Sequence, residues 1–448
     1  MERRRVYIET HGCQMNVADT ERAATRLRAA GYELTDRPEE ADVVLLNTCS
    51  VREKAEQKVY TRVGEVRRLA RRPLVGVMGC VAQLEGEALF ERAPGIRLVV
   101  GTRATDRLPV LIERAQTARR AVDLGDRQEG ERWDVSPVER HSPYVAFVPI
   151  IEGCNKFCSY CIVPFSRGRE RSRAAREIIA EVERLGELGY REVHMLGQNV
   201  NSWRPRTESE RAGLESFAGA TPFSRLLRAV AATGMRRIKF TTSFPRDFHP
   251  DIVTAIDEHE NLCNWVHLPV QAGSDRILRL MRRGYTRRDY MERVAAIRRA
   301  RRPIALTSDI IIGFPTETRA EFEETLSLVR ECEFDGLYIF KYSERPGTRA
   351  ASMADDVSPE EKRERFLQLE EVQREIQRRR LGALVGQELE VLVEGTSAKS
   401  AEHLTGHSTC NRVVNFAGDG RLCGRIVRVR ITEAKEHSLW GEVVAEVA

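Results

Sequence analysis

What this 448-residue chain lacks narrows it before any motif is read. No apolar run approaches the ~18 residues needed to cross a bilayer. Residues 6–8, behind the basic start Met1-Glu2-Arg3-Arg4-Arg5, are too short for the core of a signal peptide. Membrane and secreted readings drop out, and a cytoplasmic protein is expected. Ten cysteines are too sparse for a disulfide scaffold. Charge of one sign is also scarce: 72 Lys plus Arg against 67 Asp plus Glu leave a net +5. That excess does not identify a nucleic-acid partner; where the charges sit matters more. There is no internal repeat and no low-complexity tract. What is present, 42% apolar and 31% charged residues, supplies several buried cores and excludes wholesale disorder. At ~150 residues per domain the length suggests about three domains.

The pattern of apolar residues divides the chain in three. Over residues 1–120, short apolar runs at 6–10, 43–47, 74–78 and 96–100 alternate with amphipathic stretches at 17–30 and 51–70. This is the mark of an open parallel α/β sheet. Residues 121–139 are polar, charged and weakly periodic, and are expected to be a linker. Over residues 140–372 the alternation resumes in longer units, with strands expected at 145–151, 192–196, 237–241, 265–270, 304–312 and 336–341 and a last helix at 359–381. Six βα units are too few for an eight-fold barrel and suit a (βα)6 partial barrel, with reactive groups at the C-terminal strand ends. Residues 203–222, with Pro205, Gly213, Gly219 and Pro222, are expected to be a mobile surface insert. In the closing domain, 375–446, period-2 runs at 388–394, 412–416, 425–432 and 439–447 predict a small antiparallel β-barrel of the OB type. The fold class is therefore α/β with a small β-barrel appended.

Six of the ten cysteines fall into two groups of three. Cys154, Cys158 and Cys161 form C-x3-C-x2-C just after the first barrel strand. That spacing also marks one face of a helix, but Gly153, Asn155 and Pro164 disfavour a long buried helix here. Structural zinc wants four closed ligands, and no fourth Cys or His is near in sequence. Three thiolates at a barrel mouth fit a 4Fe–4S cluster with one iron left without a protein ligand. With Tyr160 before the last cysteine, the arrangement resembles the radical S-adenosylmethionine superfamily. The resemblance implies that the open iron chelates S-adenosylmethionine, whose cleavage yields a 5′-deoxyadenosyl radical; such chemistry belongs to the cofactor.

Cys13, Cys49 and Cys80 each follow an expected strand of the first sheet. In a parallel sheet those three loops share the carboxyl edge, where such folds bind ligands. They are read as a second iron–sulfur site with an open iron.

Two such groups followed by an RNA-binding type of barrel resemble the methylthiotransferases. The resemblance is carried by His11-Gly12-Cys13-Gln14-Met15-Asn16, Asn47-Thr48-Cys49-Ser50-Val51-Arg52-Glu53-Lys54-Ala55 and Gly79-Cys80-Val81-Ala82-Gln83. It continues in Ile151-Glu152-Gly153-Cys154-Asn155-Lys156-Phe157-Cys158 and Arg167-Gly168-Arg169-Glu170. The last domain looks like a TRAM domain, through Asn411-Arg412-Val413-Val414-Asn415-Phe416 and Ile431-Thr432-Glu433-Ala434. The Ser50–Ala55 words match the branch acting on isopentenylated adenosine. The resemblance thus implies methylthiolation of C2 of N6-isopentenyladenosine at position 37 of tRNA, with two 4Fe–4S clusters and two S-adenosylmethionine. It also implies an unidentified electron donor, an anticodon-loop substrate and a monomer. Sister enzymes acting on threonylcarbamoyladenosine or on an aspartate of ribosomal protein S12 are the alternative, and an iron–sulfur redox-sensing RNA-binding protein is a rival of another class. The chain departs from the usual pattern at Phe244 (often His), Ala272 (often Ser) and Thr316 (often Gly).

By the same resemblance Gly153, Tyr160, Gln198, Asn199, Ser243, Gln271, Asp309 and Gly313 are candidates to contact S-adenosylmethionine. A polar turn equally accounts for Gln198 and Asn199, and a plain strand-end turn for Gly313. His11, His194 and His267 read as structural, because the radical step needs no general base. Cys263, Cys332, Cys410 and Cys423 lack triad spacing and read as packing residues. On the terminal barrel, Arg412 and Arg425 are the candidates for phosphate contact with RNA.

Overall fold

The computed structural model describes residues 4–50, 53–126, 133, 135–136, 139–397 and 400–447. It contains two compact units, described in turn: Met1–Ser142 with Glu152–Asn155 and Ile162–Arg171, and Pro143–Ile151 with Lys156–Cys161 and Ser172–Ala448.

The first unit is built on a six-stranded sheet of order β2-β1-β3-β4-β5-β6, all parallel. Its strands are β1 (Arg5–His11), β2 (Glu33–Leu34), β3 (Val43–Thr48), β4 (Leu74–Gly79), β5 (Ile96–Val100) and β6 (Ala121–Asp123). β3 and β4 are buried at every position because both faces of the sheet are covered. Val43, Leu45 and Leu98 pack on one side with Leu27 and Ile112. Val44, Leu46 and Val99 pack on the other with Val59, Val63 and Phe90. The sequence pattern misses only β2 and β6, both too short to show a period. β6 occupies the start of the stretch expected as linker; residues 127–132, 134, 137 and 138 of that stretch lie outside the described residues, as do Val51 and Arg52.

The second unit contains the partial barrel. β7 (Val145–Pro149) is followed by two-residue strands, β8 (Ile151–Glu152) and β9 (Arg171–Ser172), and then by β10 (Glu192–Leu196), β11 (Arg237–Thr241), β12 (Trp265–His267), β13 (Ala305–Ile312) and β14 (Gly336–Lys341). β7, β10 and β11 form one parallel sheet and β12, β13 and β14 another. An isolated parallel bridge, Ile238 to Leu262, links the two halves, and past the strand ends the Ser243 N–H donates to the His267 carbonyl. β12 stops earlier than the apolar run suggests because Pro269 has no N–H to donate; the chain rejoins β13 only through a bridge from Gln271 to Ile310.

Residues 203–222 are mostly exposed, as a surface insert would be, but they are pinned to the barrel: Trp203 is fully buried, its Nε1 donates to the Arg173 carbonyl at 3.0 Å, and Leu214 joins the barrel core. The terminal barrel is closed, in the order β15-β16-β17-β19-β18. Its strands are β15 (Glu388–Ser397), β16 (Ser400–Ser408), β17 (Val413–Ala417), β18 (Ile426–Ala434) and β19 (Leu439–Val447), and β17 pairs with β19 in parallel. β16 escapes the sequence pattern because only Leu404 supplies a large aliphatic group to the core.

Candidate functional site

Register builds the first cysteine site. β1, β3 and β4 are adjacent parallel strands, and His11, Thr48 and Gly79 stand side by side across them. Cys49 and Cys80 are the next residues of β3 and β4, and Cys13 lies two beyond β1. With strands ~4.8 Å apart, three cysteines distant in sequence meet at one sheet edge. Cys13 and Cys49 share a hydrogen bond, and Arg167 faces Cys13 and Cys80. Cys13 is exposed, whereas Cys49 and Cys80 are buried.

The thiols are not equivalent. The hydrogen bond with Cys49 pulls the Cys13 thiol down to about 5, against the crowding around its sulfur and with help from the Arg167 charge and the Asn16 and Met15 backbone. Burial pushes the Cys80 thiol up, although Arg167 opposes it. Cys13 also caps the sixteen-residue helix Gln14–Ala29, whose positive end favours a thiolate.

Two features of this site were not assigned a role from sequence, although their residues lie in the family words. Buried Asn16, in the first turn of the helix Gln14–Ala29, and Asn47, near the end of β3, clasp the helix start to the strand end. Asn16 Nδ2 donates to Asn47 Oδ1 at 3.1 Å, and Asn47 Nδ2 donates to the Asn16 carbonyl at 2.7 Å and to Thr20 Oγ1 at 2.9 Å. A Cβ on Gly79 (φ +92°) would lie 2.4 Å from Asn47 Oδ1, so only glycine fits beside the clasp. Arg167, at the end of the short helix Val163–Arg167, is 3% exposed and donates to Asp19 at 2.7 Å, with Glu152 at 3.8 Å.

Among the described residues, no group of three or more His, Cys, Asp or Glu is arranged to hold a metal ion. A cubane places each thiolate on a different iron, so its ligands stand farther apart than those around one ion. Three sulfurs at one edge beside a buried cation are a donor set that suits it.

The second group lies on the loop after β8. In the first unit, Cys154 is buried and its N–H donates to the Gly168 carbonyl at 3.0 Å. Gly153 (φ +79°) is there for space, since a Cβ would lie 2.2 Å from the Arg169 carbonyl oxygen. In the second unit, Cys158 is buried and Cys161 half-buried, joined by a turn in which Cys161 N–H donates to the Cys158 carbonyl.

The barrel rim carries the other candidates. Gln198 follows β10 and Ser243 follows β11; among the described residues Gln198 Oε1, Ser243 Oγ and nearby Thr241 Oγ1 are buried with no partner. Such orphans favour a polar ligand. Asn199 is buried beside Gln198. Gln271 (φ +80°) and Thr242 (φ +68°) hold left-handed conformations at this rim, as does Phe157 (φ +47°) in the cysteine loop. Strain of this kind clusters at working sites. Thr316, where the family often has Gly, is a further case at φ +69°; Arg276 and Asp356 hold it. Asp309 instead pairs with His267 at 3.4 Å, and the Gly313 N–H is capped by Glu317 at 2.7 Å, which favours the plain-turn reading of Gly313. Tyr160 lies 3.4 Å from an Nη of Arg283, a residue the sequence reading did not single out. Ala272 is fully buried.

The three histidines have structural partners: His11 pairs with Glu9, His194 with Glu192, and His267 with Thr307 and Asp309. On the terminal barrel, Arg412 is a correction: both its Nη groups bind Asp335, one at the carboxylate and one at the carbonyl, so it anchors the barrel instead of facing phosphate. Arg425 is exposed.

Comparison with known proteins agrees with this layout. Residues 5–101 match the uncharacterized protein family UPF0004, 148–329 the radical SAM superfamily and 382–444 the TRAM domain. The tRNA-2-methylthio-N(6)-dimethylallyladenosine synthase of Solibacter usitatus is 46% identical over 447 residues, 98% of each chain. Proteins of the same name from Geobacter metallireducens and Moorella thermoacetica are each 47% identical, again over 98% of both chains. Among solved structures, the radical S-adenosylmethionine methyltransferase TsrM from Kitasatospora setae shares the fold at TM-score 0.57 and 16% identity, over 78% of this chain and 77% of that one. The cobalamin-dependent S-adenosylmethionine radical enzyme OxsB does so at TM-score 0.52 and 10% identity, over 83% and 56%.

Proposed function

The chain belongs to the family of tRNA-2-methylthio-N6-dimethylallyladenosine synthases, and on that premise we propose that it replaces the C2 hydrogen of N6-isopentenyladenosine at position 37 of tRNA (tRNA numbering) with a methylthio group. The carrying observation is identity of 46–47% along 98% of both chains, with both cysteine groups in place. When bound, the 4Fe–4S clusters and S-adenosylmethionine supply the radical, sulfur-insertion and methyl-transfer chemistry. Cys154, Cys158 and Cys161 would hold the cluster that meets S-adenosylmethionine; Cys13, Cys49 and Cys80 would hold the cluster that serves sulfur insertion.

The chain's own residues bind, orient and exclude water. Gln198, Thr241 and Ser243 offer buried polar atoms at adjacent strand ends, where a zwitterionic ligand would satisfy them. The Asn16–Asn47 clasp ties the helix start that Cys13 caps to the end of β3, next to Cys49. An anticodon-loop base is already unpaired and needs little energy to enter a site. Reducing electrons come from a donor outside the chain, and the chain acts as a monomer in the cytoplasm. Among the described residues no helix is long and apolar enough to cross a membrane.

Nucleoside mass spectrometry on tRNA from cells lacking this enzyme class, with the gene supplied, tests the proposal. Appearance of 2-methylthio-N6-isopentenyladenosine is expected. Persistence of the isopentenyl precursor beside soluble, cluster-loaded protein would overturn it in favour of the sister substrates. The RNA face is tested separately. Arg425→Ala should reduce the slope of log K against log salt for tRNA binding by about 1. Arg412→Ala should leave that slope alone and cost about 1–3 kcal/mol of stability, through Asp335.

A further inference from the structure

Arg283 follows the helix Asp275–Leu280 and is 5% exposed. A buried guanidinium is ordinarily balanced by a carboxylate; among the described residues Arg283 makes no ion pair. Its Nε donates to Tyr285 OH at 2.8 Å and one Nη to the Pro269 carbonyl at 2.7 Å. The other Nη lies 3.4 Å from Cys158 Sγ and 3.4 Å from Tyr160 OH. Its plane is stacked 4.6 Å from the centre of Phe244, the residue that stands where the family often has His. Four of its five N–H groups thus have partners, and burial pushes the Tyr160 and Tyr285 hydroxyls up so that they stay neutral, which leaves the Cys158 sulfur as the partner that is anionic when it ligates iron.

We propose that Arg283 is a positioning residue for the Cys154/Cys158/Cys161 cluster: it fixes the Cys158 thiolate and raises the cluster's reduction potential through charge and an N–H···S bond. This rests on reading those cysteines as cluster ligands. Reduction adds one electron from a low-potential one-electron donor outside the chain, leaving the cluster one unit more negative. A fixed positive charge in a dry environment stabilises that state more than the oxidised one. Phe244 holds the guanidinium from its open face without competing for its N–H groups.

The test is a redox titration followed by electron paramagnetic resonance, in a parent carrying Cys13→Ala, Cys49→Ala and Cys80→Ala so that one cluster is read. At a solution potential near the parental midpoint, Arg283→Met should lower the ratio of reduced to oxidised cluster at least tenfold, about 59 mV for one electron. Arg283→Lys, which keeps charge but loses the planar fork, should lower it by less. Parental iron content with an unchanged ratio in Arg283→Met overturns the proposal. If Arg283→Met fails to load iron, Arg283→Lys decides: a ratio lowered severalfold supports the proposal and an unchanged one overturns it. Absence of any cluster in the parent would instead overturn the assignment of the three ligands.

Discussion

The two cysteine groups are assembled in opposite ways. Cys13, Cys49 and Cys80 come from three places in the chain and are gathered by strand register, so hydrogen bonding of β1, β3 and β4 positions them before any iron arrives. Cys154, Cys158 and Cys161 lie within eight consecutive residues, and their order depends on what packs around the loop. Each group also faces a buried arginine, and the two arginines differ. Arg167 is balanced by Asp19 and Glu152, whereas Arg283 has hydroxyl, carbonyl and sulfur partners only. The balanced cation is part of the folded scaffold; the unbalanced one leaves its charge available to a cluster.

The largest effect expected from this contrast is on stability. Arg167→Ala removes the buried cation that pairs with Asp19 and faces Glu152 and should cost about 3–5 kcal/mol in denaturant unfolding. A loss under 1 kcal/mol would erase the distinction between the two arginines. Next, Asn16→Ala removes the Nδ2 half of the clasp and leaves buried Asn47 Oδ1 without that donor, while Asn47 Nδ2 keeps the residue-16 carbonyl and Thr20 Oγ1; it should cost about 1–3 kcal/mol. It should lower iron content at the sheet-edge group while leaving the loop group loaded; equal loss at both would show that register does not hold the first group. The smallest effect is one of reactivity. In the iron-free protein, Cys13 is a thiolate above about pH 5, so its alkylation by iodoacetamide should be flat from neutral pH down and fall only below about 5. Cys80, raised by burial, should stay unreactive at neutral pH. Comparable rates at the two would contradict the asymmetry of the site.

Much of this was legible in the sequence, for physical reasons. Strands buried on both faces announce themselves as continuous apolar runs, so β3, β4 and β5 were found within a residue. Parallel topology then predicted that Cys13, Cys49 and Cys80 share an edge. Short or polar elements escaped: β2, β6 and β16 are formed by pairing to a neighbour, not by their own pattern. Trp203 shows the same limit, since the Pro and Gly of a largely exposed segment do not show that one of its rings is buried. Arg283 and Arg412 were misjudged or missed because an arginine's role depends on what lies within reach of a long side chain. Nothing in spacing shows that Arg412 meets Asp335 or that Arg283 meets Cys158.

The most direct measurement compares two triple-alanine variants, one lacking Cys13, Cys49 and Cys80 and the other lacking Cys154, Cys158 and Cys161. Each is incubated anaerobically with reductant, S-adenosylmethionine and isopentenylated tRNA, and 5′-deoxyadenosine and methylthio-nucleoside are quantified in the same sample. The sheet-edge variant should form 5′-deoxyadenosine and no methylthio-nucleoside; the loop variant should form neither. Parental methylthio product from the sheet-edge variant, or 5′-deoxyadenosine from the loop variant, would contradict the division of labour between the two groups.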